Sequence, residues 1–241
     1  MKKLKAGDLG VVAVGGADRD GGGDGPAIVL CHGFGASGDD LVSLARVVDV
    51  GRNVRWFFPE APLDLSTMFG GAARAWWEID MERMMAAQQR GAVQELAKET
   101  PPRLGKARGE LLSMLDALEA SHGLRRDKTI IGGFSQGAML ATEVALHAFD
   151  RPFAGLAVLS GTVLSEERWI EAAARSGPKI HALVTHGRRD PILPFVGAEA
   201  LRDLLSKAGA TVDFVPHGGQ HEIPESALDG LVRLAKARVL D

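Results

Sequence analysis

Thr129-Ile130-Ile131-Gly132-Gly133-Phe134-Ser135-Gln136-Gly137-Ala138-Met139-Leu140-Ala141 is the stretch on which the fold turns. An apolar, β-rich run enters a Gly-x-Ser-x-Gly string, and an apolar helical run leaves it. In that setting the serine sits on a strained strand-to-helix bend that lifts its hydroxyl above the carboxyl end of a parallel sheet. Gly133 and Gly137 let strand and helix approach closely, because neither carries a Cβ. Serine is a weak nucleophile until a base takes its proton, so the string predicts a histidine and an orienting carboxylate elsewhere in the chain.

Outward from this element, short β-rich runs recur at Leu9 to Val14, Ala27 to Leu30, Val54 to Phe58, Gly155 to Leu159, Ile180 to Thr185 and Thr211 to Val215. The Gly/Asp-rich stretch Asp18 to Gly25 reads as a loop joining early antiparallel strands. Helical periodicity marks Gly38 to Val50, Leu104 to Ala120, Gln136 to His147, Phe195 to Lys207 and Glu225 to Val239. Strands alternating with helices imply an α/β fold: a mostly parallel central sheet with helices on both faces, and ligands beyond the carboxyl ends of its strands. Leu63 to Thr100 breaks the alternation. A connection of that length with its own apolar content is expected to be a loop and helix insertion over the site.

With 241 residues and 46% hydrophobic content, the chain suits one sizeable core, and a single domain over 1–241 is expected. A formal charge of -3 with dispersed Lys and Arg offers no phosphate-tracking surface, which argues against nucleic acid as a partner. Met1-Lys2-Lys3-Leu4-Lys5 begins like a signal peptide, but Asp8 and the following glycines leave no apolar segment or cleavage site. No stretch approaches the roughly 20 apolar residues of a membrane span. The sole cysteine, Cys31, excludes an internal disulfide and fits a cytoplasmic location.

The expected partners of Ser135 lie downstream. Asp190 stands in His186-Gly187-Arg188-Arg189-Asp190-Pro191-Ile192-Leu193-Pro194, after one strand run, and His221 in His217-Gly218-Gly219-Gln220-His221-Glu222-Ile223-Pro224, after the next. The order serine, acid, histidine is the one expected when an elbow serine leads the triad of an α/β-hydrolase. In this reading Ser135 attacks an acyl carbonyl, His221 takes its proton, and Asp190 fixes the imidazole. Backbone N–H groups of Gln136 and of Phe34, in the His32-Gly33-Phe34-Gly35 loop, form the oxyanion hole.

Four blocks then resemble the phospholipase/carboxylesterase family of α/β-hydrolases, which includes bacterial carboxylesterases and acyl-protein thioesterases. They are Leu30 to Gly35 with Asp39-Asp40-Leu41, Phe58-Pro59-Glu60-Ala61-Pro62, Gly133 to Ala138, and His186 to Pro194 with Gly219 to Pro224. The resemblance implies hydrolysis of carboxylic esters or thioesters through an acyl-enzyme, with neither metal nor organic cofactor. Where family members commonly carry a Trp-aromatic-Asp element, this chain has Trp76-Trp77-Glu78, extended by Met81-Glu82-Arg83-Met84-Met85. That departure bears on the substrate rather than on the chemistry.

The competing assignments weigh less. Asp213 lies in an alternating strand pattern that faces it to solvent. His32 and His186 each precede glycine at a strand end, where an imidazole holds backbone rather than reacts. His217 lies nearer its strand, and Cys31 reads as a buried structural thiol. Glu78, Asp80 and Glu82 have alternate spacing but no histidine to complete a metal set. Trp76, Trp77, Met68 and Leu193 are the expected acyl-pocket residues, although aromatic and methionine side chains at helical spacing also serve simply as core.

The function expected is that of a serine carboxylesterase for small to medium acyl esters. An acyl-protein or acyl-CoA thioesterase, a lysophospholipase, and a non-catalytic binding protein on a hydrolase scaffold are the alternatives. An apolar patch on the insertion suits a homodimer interface as readily as an acyl chain.

Overall fold

The structure, a computed structural model, describes residues 1–240; the expected domain, 1–241, runs one residue beyond them. Its centre is an eight-stranded sheet built from β1 (Lys2–Ala6), β2 (Leu9–Gly15), β3 (Ala27–Cys31), β4 (Arg55–Pro59), β7 (Thr129–Phe134), β8 (Gly155–Leu159), β9 (His181–Gly187) and β10 (Thr211–His217), in the order β1-β2-β4-β3-β7-β8-β9-β10. The pairs β1/β2 and β2/β4 are antiparallel and the other five are parallel. Chain order reverses at β3, so a crevice opens between the carboxyl ends of β3 and β7, the place where such sheets bind ligands. The loop after β3 carries His32-Gly33-Phe34-Gly35, and the loop after β7 carries Ser135.

Helices cover both faces. Against one lie α5 (Leu104–His122), α6 (Gln136–Leu146), α7 (Glu166–Ser176) and α8 (Phe195–Lys207), which bury Leu111, Met114, Leu140, Trp169 and Leu201. Against the other lie the short α1 (Leu44–Val47) and α9 (Glu225–Arg238), with Leu44, Val48, Ala227 and Leu231 packed on Ile28, Trp56 and Ile130. Central strands β3, β4 and β8 are buried throughout, so their sequences read as continuous apolar runs rather than alternations.

Several elements differ from the sequence expectation. The lysine-rich N-terminus forms β1, an edge strand joined to β2 through Gly7-Asp8, with Gly7 at φ 54°. Asp18 to Gly25 connects β2 to β3, which run in opposite senses but are not neighbours because β4 lies between them. Over 38–50 only Leu44–Val47 is α-helical. The rest is a series of i to i+3 turns such as Leu44 N–H to Leu41 O, 3.0 Å, in a valine-rich stretch too short to propagate a helix. The unforeseen α7 is anchored by Trp169, whose indole donates to the fully buried Glu143 carboxylate at 2.7 Å.

The insertion at 63–100 contains a hairpin of β5 (Leu63–Asp64) and β6 (Arg74–Ala75), followed by α3 (Met81–Gln89) and α4 (Val93–Leu96). Between the two hairpin strands lies α2 (Ser66–Phe69).

Candidate active site

Ser135 stands at φ 53° and ψ -118°, a conformation L side chains rarely adopt, at the bend between β7 and α6. Its N–H donates to Leu159 O at 2.9 Å, pinning the bend to β8, and its carbonyl accepts from Ala138 and Met139 N–H at 3.0 and 3.1 Å. A Cβ on Gly133 would lie 2.5 Å from Cys31 O, and one on Gly137 would collide with the same carbonyl. The flanking glycines therefore let α6 rest directly on the end of β3. Gly33 works similarly, since a Cβ there would come 3.4 Å from the Ser135 Cβ, so the 32–35 loop lies beside the serine.

Asp190 is held in the loop after β9. Its Oδ1 accepts from the N–H groups of Ile192 and Leu193 at 2.8 and 2.9 Å, and its Oδ2 lies 2.6 Å from His221 Nδ1 and 3.2 Å from His186 Nε2. Burial works against its charge, but the hydrogen bonds from His186, His221 and Leu193 N–H outweigh it and hold the carboxyl well below its usual range. An ionised carboxylate only accepts, so His221 Nδ1 carries the hydrogen and Nε2 is left as the basic nitrogen. The His221 ring lies 4.8 Å from the ring of Phe134, the residue before the serine.

The Asp190 and His221 loops are laced together. Arg188 and Arg189 N–H donate to the carbonyls of His217 and Gly219 at 2.8 and 3.1 Å, and the Arg189 Nε donates to Gly218 O at 2.6 Å. Gly187 must be glycine because a Cβ would run into the Gln220 carbonyl. Buried Ser160, at φ 53° after β8, donates its hydroxyl to Glu222 O at 3.2 Å and so tethers the residue next to His221.

The loop after β3 is braced by buried His32, whose Nε2 accepts from Ala61 N–H at 3.0 Å while Nδ1 donates to Gly33 O at 2.8 Å. Both nitrogens are thereby committed, and burial lowers the imidazole pKa from its ordinary 6.5. Gly35 N–H donates to Arg74 O at 2.8 Å, which ties the same loop to the insertion. At the start of α6 the N–H groups of Ala138 and Met139 are taken by the Ser135 carbonyl, while those of Gln136 and Gly137 have no backbone carbonyl as partner among the described residues, the arrangement that accommodates a developing oxyanion. A serine next in sequence to the ring that packs on a carboxylate-backed imidazole, with such donors nearby, supplies the groups that acyl transfer needs.

A family model described as Phospholipase/Carboxylesterase matches residues 22–234. The chain belongs to this family. Among its relatives, acyl-protein thioesterase 1 of Schizosaccharomyces pombe is 27% identical over 174 residues, 72% of each chain. The probable carboxylesterase SOBER1-like of Arabidopsis thaliana is 27% identical over 217 residues, 88% of this chain and 78% of that one. The crystal structure of esterase PE8 aligns with a TM-score of 0.77 at 23% identity, over 95% of this chain and 99% of that one, a likeness that establishes the α/β-hydrolase fold. Family membership makes the chain a serine hydrolase of the α/β-hydrolase type acting on carboxylic esters or thioesters.

Beside the site lies a cavity of about 250 Å³, walled by Trp77, Met84, Val93, Met139, Val163 and Leu193 among others. Its wall touches the site twice, through Met139, whose N–H bonds the Ser135 carbonyl, and Leu193, whose N–H bonds Asp190. Trp77 and Leu193, expected as pocket residues, line this cavity. Met68 and Trp76, expected with them, do not. Met68 is 68% exposed on α2, and Trp76 is fully buried, its indole N–H donating to His32 O at 2.9 Å.

The Gln136 side chain was expected to contribute nothing, its backbone alone being assigned a role. It is buried and clamps the insertion to the bend, Oε1 accepting from Trp76 N–H and Nε2 donating to Trp77 O, each at 2.9 Å. A glutamine after the serine, facing paired tryptophans about sixty residues upstream, is the one sequence signal that hinted at this clamp. Asp80, considered above for metal binding, accepts from Arg83 N–H at 2.9 Å and caps α3. Asp213 lies away from the site in an exposed ion pair with Arg233 at 3.0 Å.

Proposed function

We propose that the protein is a serine carboxylesterase for small to medium acyl esters, working as one domain with Ser135 as nucleophile, His221 as general base and Asp190 as its orienting carboxylate. The observation that carries this reading is the 2.6 Å contact of His221 with Asp190, with the His221 ring packed on the residue before a serine held at φ 53°. The Ser135 oxygen bonds to the acyl carbon as its proton passes to His221 Nε2, and the N–H groups of Phe34 and Gln136 receive the negative oxygen. Collapse expels the alcohol, which takes the proton from His221. Water, deprotonated by the same imidazole, then attacks the acyl-enzyme and releases the acid and free Ser135.

The acyl group enters the cavity bounded by Trp77 and Leu193. Its volume, about 250 Å³, falls just below the roughly 300–1,000 Å³ usual for ligand pockets, which favours a short or medium chain. The relatives named acyl-protein thioesterase support a second reading, that thioesters of similar acyl length are cleaved by the same residues. Among the described residues no helix is long and apolar enough to cross a membrane, and the lone, buried Cys31 accords with a cytoplasmic enzyme. The apolar side chains of Met68, Phe69 and Met85, each more than half exposed, leave a surface on the insertion for a homodimer contact.

Hydrolysis of p-nitrophenyl esters from acetate to palmitate, measured with wild type and Ser135→Ala in parallel, tests the proposal. Serine-dependent turnover with an optimum at short or medium chains supports it. A folded wild type inactive on every ester and on the matching thioesters would refute it.

A further inference from the structure

Asp190 has a second histidine on the same oxygen as His221. His186, at the carboxyl end of β9, is wholly buried, and its Nε2 lies 2.8 Å from Leu193 O and 3.2 Å from Asp190 Oδ2. The Leu193 carbonyl can only accept, so Nε2 bears the hydrogen and donates it to that carbonyl, while the same ring edge lies 3.2 Å from the carboxylate. His186 Nδ1 has no partner among the described residues, which agrees with its carrying no hydrogen. Asp190 thus accepts backbone N–H groups on Oδ1 and the His221 Nδ1–H on Oδ2, with the Nε2 edge of His186 3.2 Å from that same oxygen.

Other groups near the ring do not compete for that oxygen. From β10, His217 uses Nδ1 to accept from Gly219 N–H at 3.2 Å; burial lowers its imidazole pKa, with Glu222 and Asp190 favouring its charge and His186 opposing it, and it makes no hydrogen bond to Oδ2. From α8, the Phe195 ring lies 6.2 Å from the His186 ring and carries the Arg188 guanidinium over its face at 4.8 Å. His221 is therefore the group that shares Oδ2 with His186.

Resting on the roles given above to Asp190 and His221, we propose that His186 is a positioning residue that takes up part of the Oδ2 charge and so limits how firmly Asp190 holds the protonated form of His221. A second N–H dipole held 3.2 Å from Oδ2 stabilises the ionised carboxylate and so weakens its pull on the His221 proton. The device keeps His221 able to surrender its proton to the leaving alcohol. The same N–H is donated to the carbonyl of Leu193, a cavity-wall residue.

His186→Leu, His186→Gln and His186→Asn separate this role from packing. A Gln side chain can place its amide nitrogen where Nε2 sits, whereas Asn is too short and Leu donates nothing. In His186→Leu and His186→Asn the acid limb of the kcat/KM profile should move up by about half a pH unit or more. Activity should accordingly fall more at pH 6 than at pH 8, while His186→Gln follows wild type. The ¹⁵N shifts of wild-type His186, which require no turnover, should show Nε2 protonated and Nδ1 bare.

A loss equal at every pH, a limb that stays or moves down, or a proton on Nδ1 would each overturn the proposal. Should His186→Leu fail to fold, the contrast between Gln and Asn decides alone. A wild type without esterase or thioesterase activity is a different failure, which removes the roles of Asp190 and His221 themselves.

Discussion

Helix α6, which leaves the bend at Ser135 and reaches the cavity through Met139, and the segment from Glu78 to Thr100, which lines it, are built in opposite ways. Every residue of α6 is buried, the strands β3 and β8 beneath it are buried throughout, and its approach to β3 leaves no room for a Cβ at Gly133 or Gly137. On α3 only Ala87 is buried, Met85 is 56% exposed, and Arg83 pairs with Glu99 with both side chains about half in water. The first region has a geometry over-determined by packing. The second is attached by a few contacts, several of them in water. Chemistry that tolerates little displacement belongs on such a rigid side, and the cavity wall is drawn from both.

The most severe way to break this contrast is Ser135→Ala, which should lower kcat by something on the order of 10⁵ to 10⁶ while leaving the fold intact. His221→Ala should cost nearly as much, and the double variant little more, because members of one catalytic unit do not add. Steady-state kinetics with circular dichroism checks both halves of the expectation.

Gln136→Leu attacks the clamp between the regions. It leaves the Trp76 N–H and the Trp77 carbonyl buried without partners, which should destabilise the protein by about 2–4 kcal/mol in urea unfolding. Arg83→Ala, at the half-exposed pair on the other side of the cavity, should leave the urea midpoint almost unchanged, because water and salt screen such a pair. Equal effects of the two substitutions would erase the distinction between rigid and loosely attached regions.

A finer comparison concerns the cavity wall. A second hollow, against α8, shares Val93, Ala97, Thr162, Val163 and Leu193 with the first. Leu193→Ala should thin that partition and move the ester-chain optimum to longer acyl groups, with a change of about 10-fold in relative kcat/KM for the longer chain. An unchanged chain profile would detach Leu193 from specificity.

The mildest test is pH. Burial lowers the pKa of His32 from 6.5, so below that value the unfolded chain takes up a proton that the folded one resists. Stability should therefore fall as pH drops from 7 to 5, with His32 contributing at most about 1.4 kcal/mol per pH unit. The slope should be shallower in His32→Gln, measured by urea unfolding at each pH.

The rigid side was largely legible in the sequence because its demands are local. A buried parallel strand must be apolar, a tight bend must have glycine, and loops at strand ends must carry the reactive side chains. Gly155–Leu159 and Phe195–Lys207 have the bounds their periodicity predicts. What escaped depends on partners distant in sequence. The alternating lysines at the N-terminus become a strand only through pairing with β2, and α7 is fastened by an indole reaching a carboxylate on α6. Met68 and Trp76 escaped for the same reason, since periodicity gives the face of an element and says nothing of which neighbour that face meets. His186 was read as a backbone support, and its bond to the Leu193 carbonyl accords with that, while its approach to Asp190 had no signal in the spacing.

Trp76 and Trp77 are adjacent, yet they divide between the two regions: one indole is fastened to the loop after β3, the other forms cavity wall. For anyone redesigning the enzyme this marks a seam. A library diversified at 77, 84 and 193 reshapes the cavity wall on an undisturbed scaffold, whereas one that includes 76 spends its variants on molecules whose loop after β3 has lost its anchor.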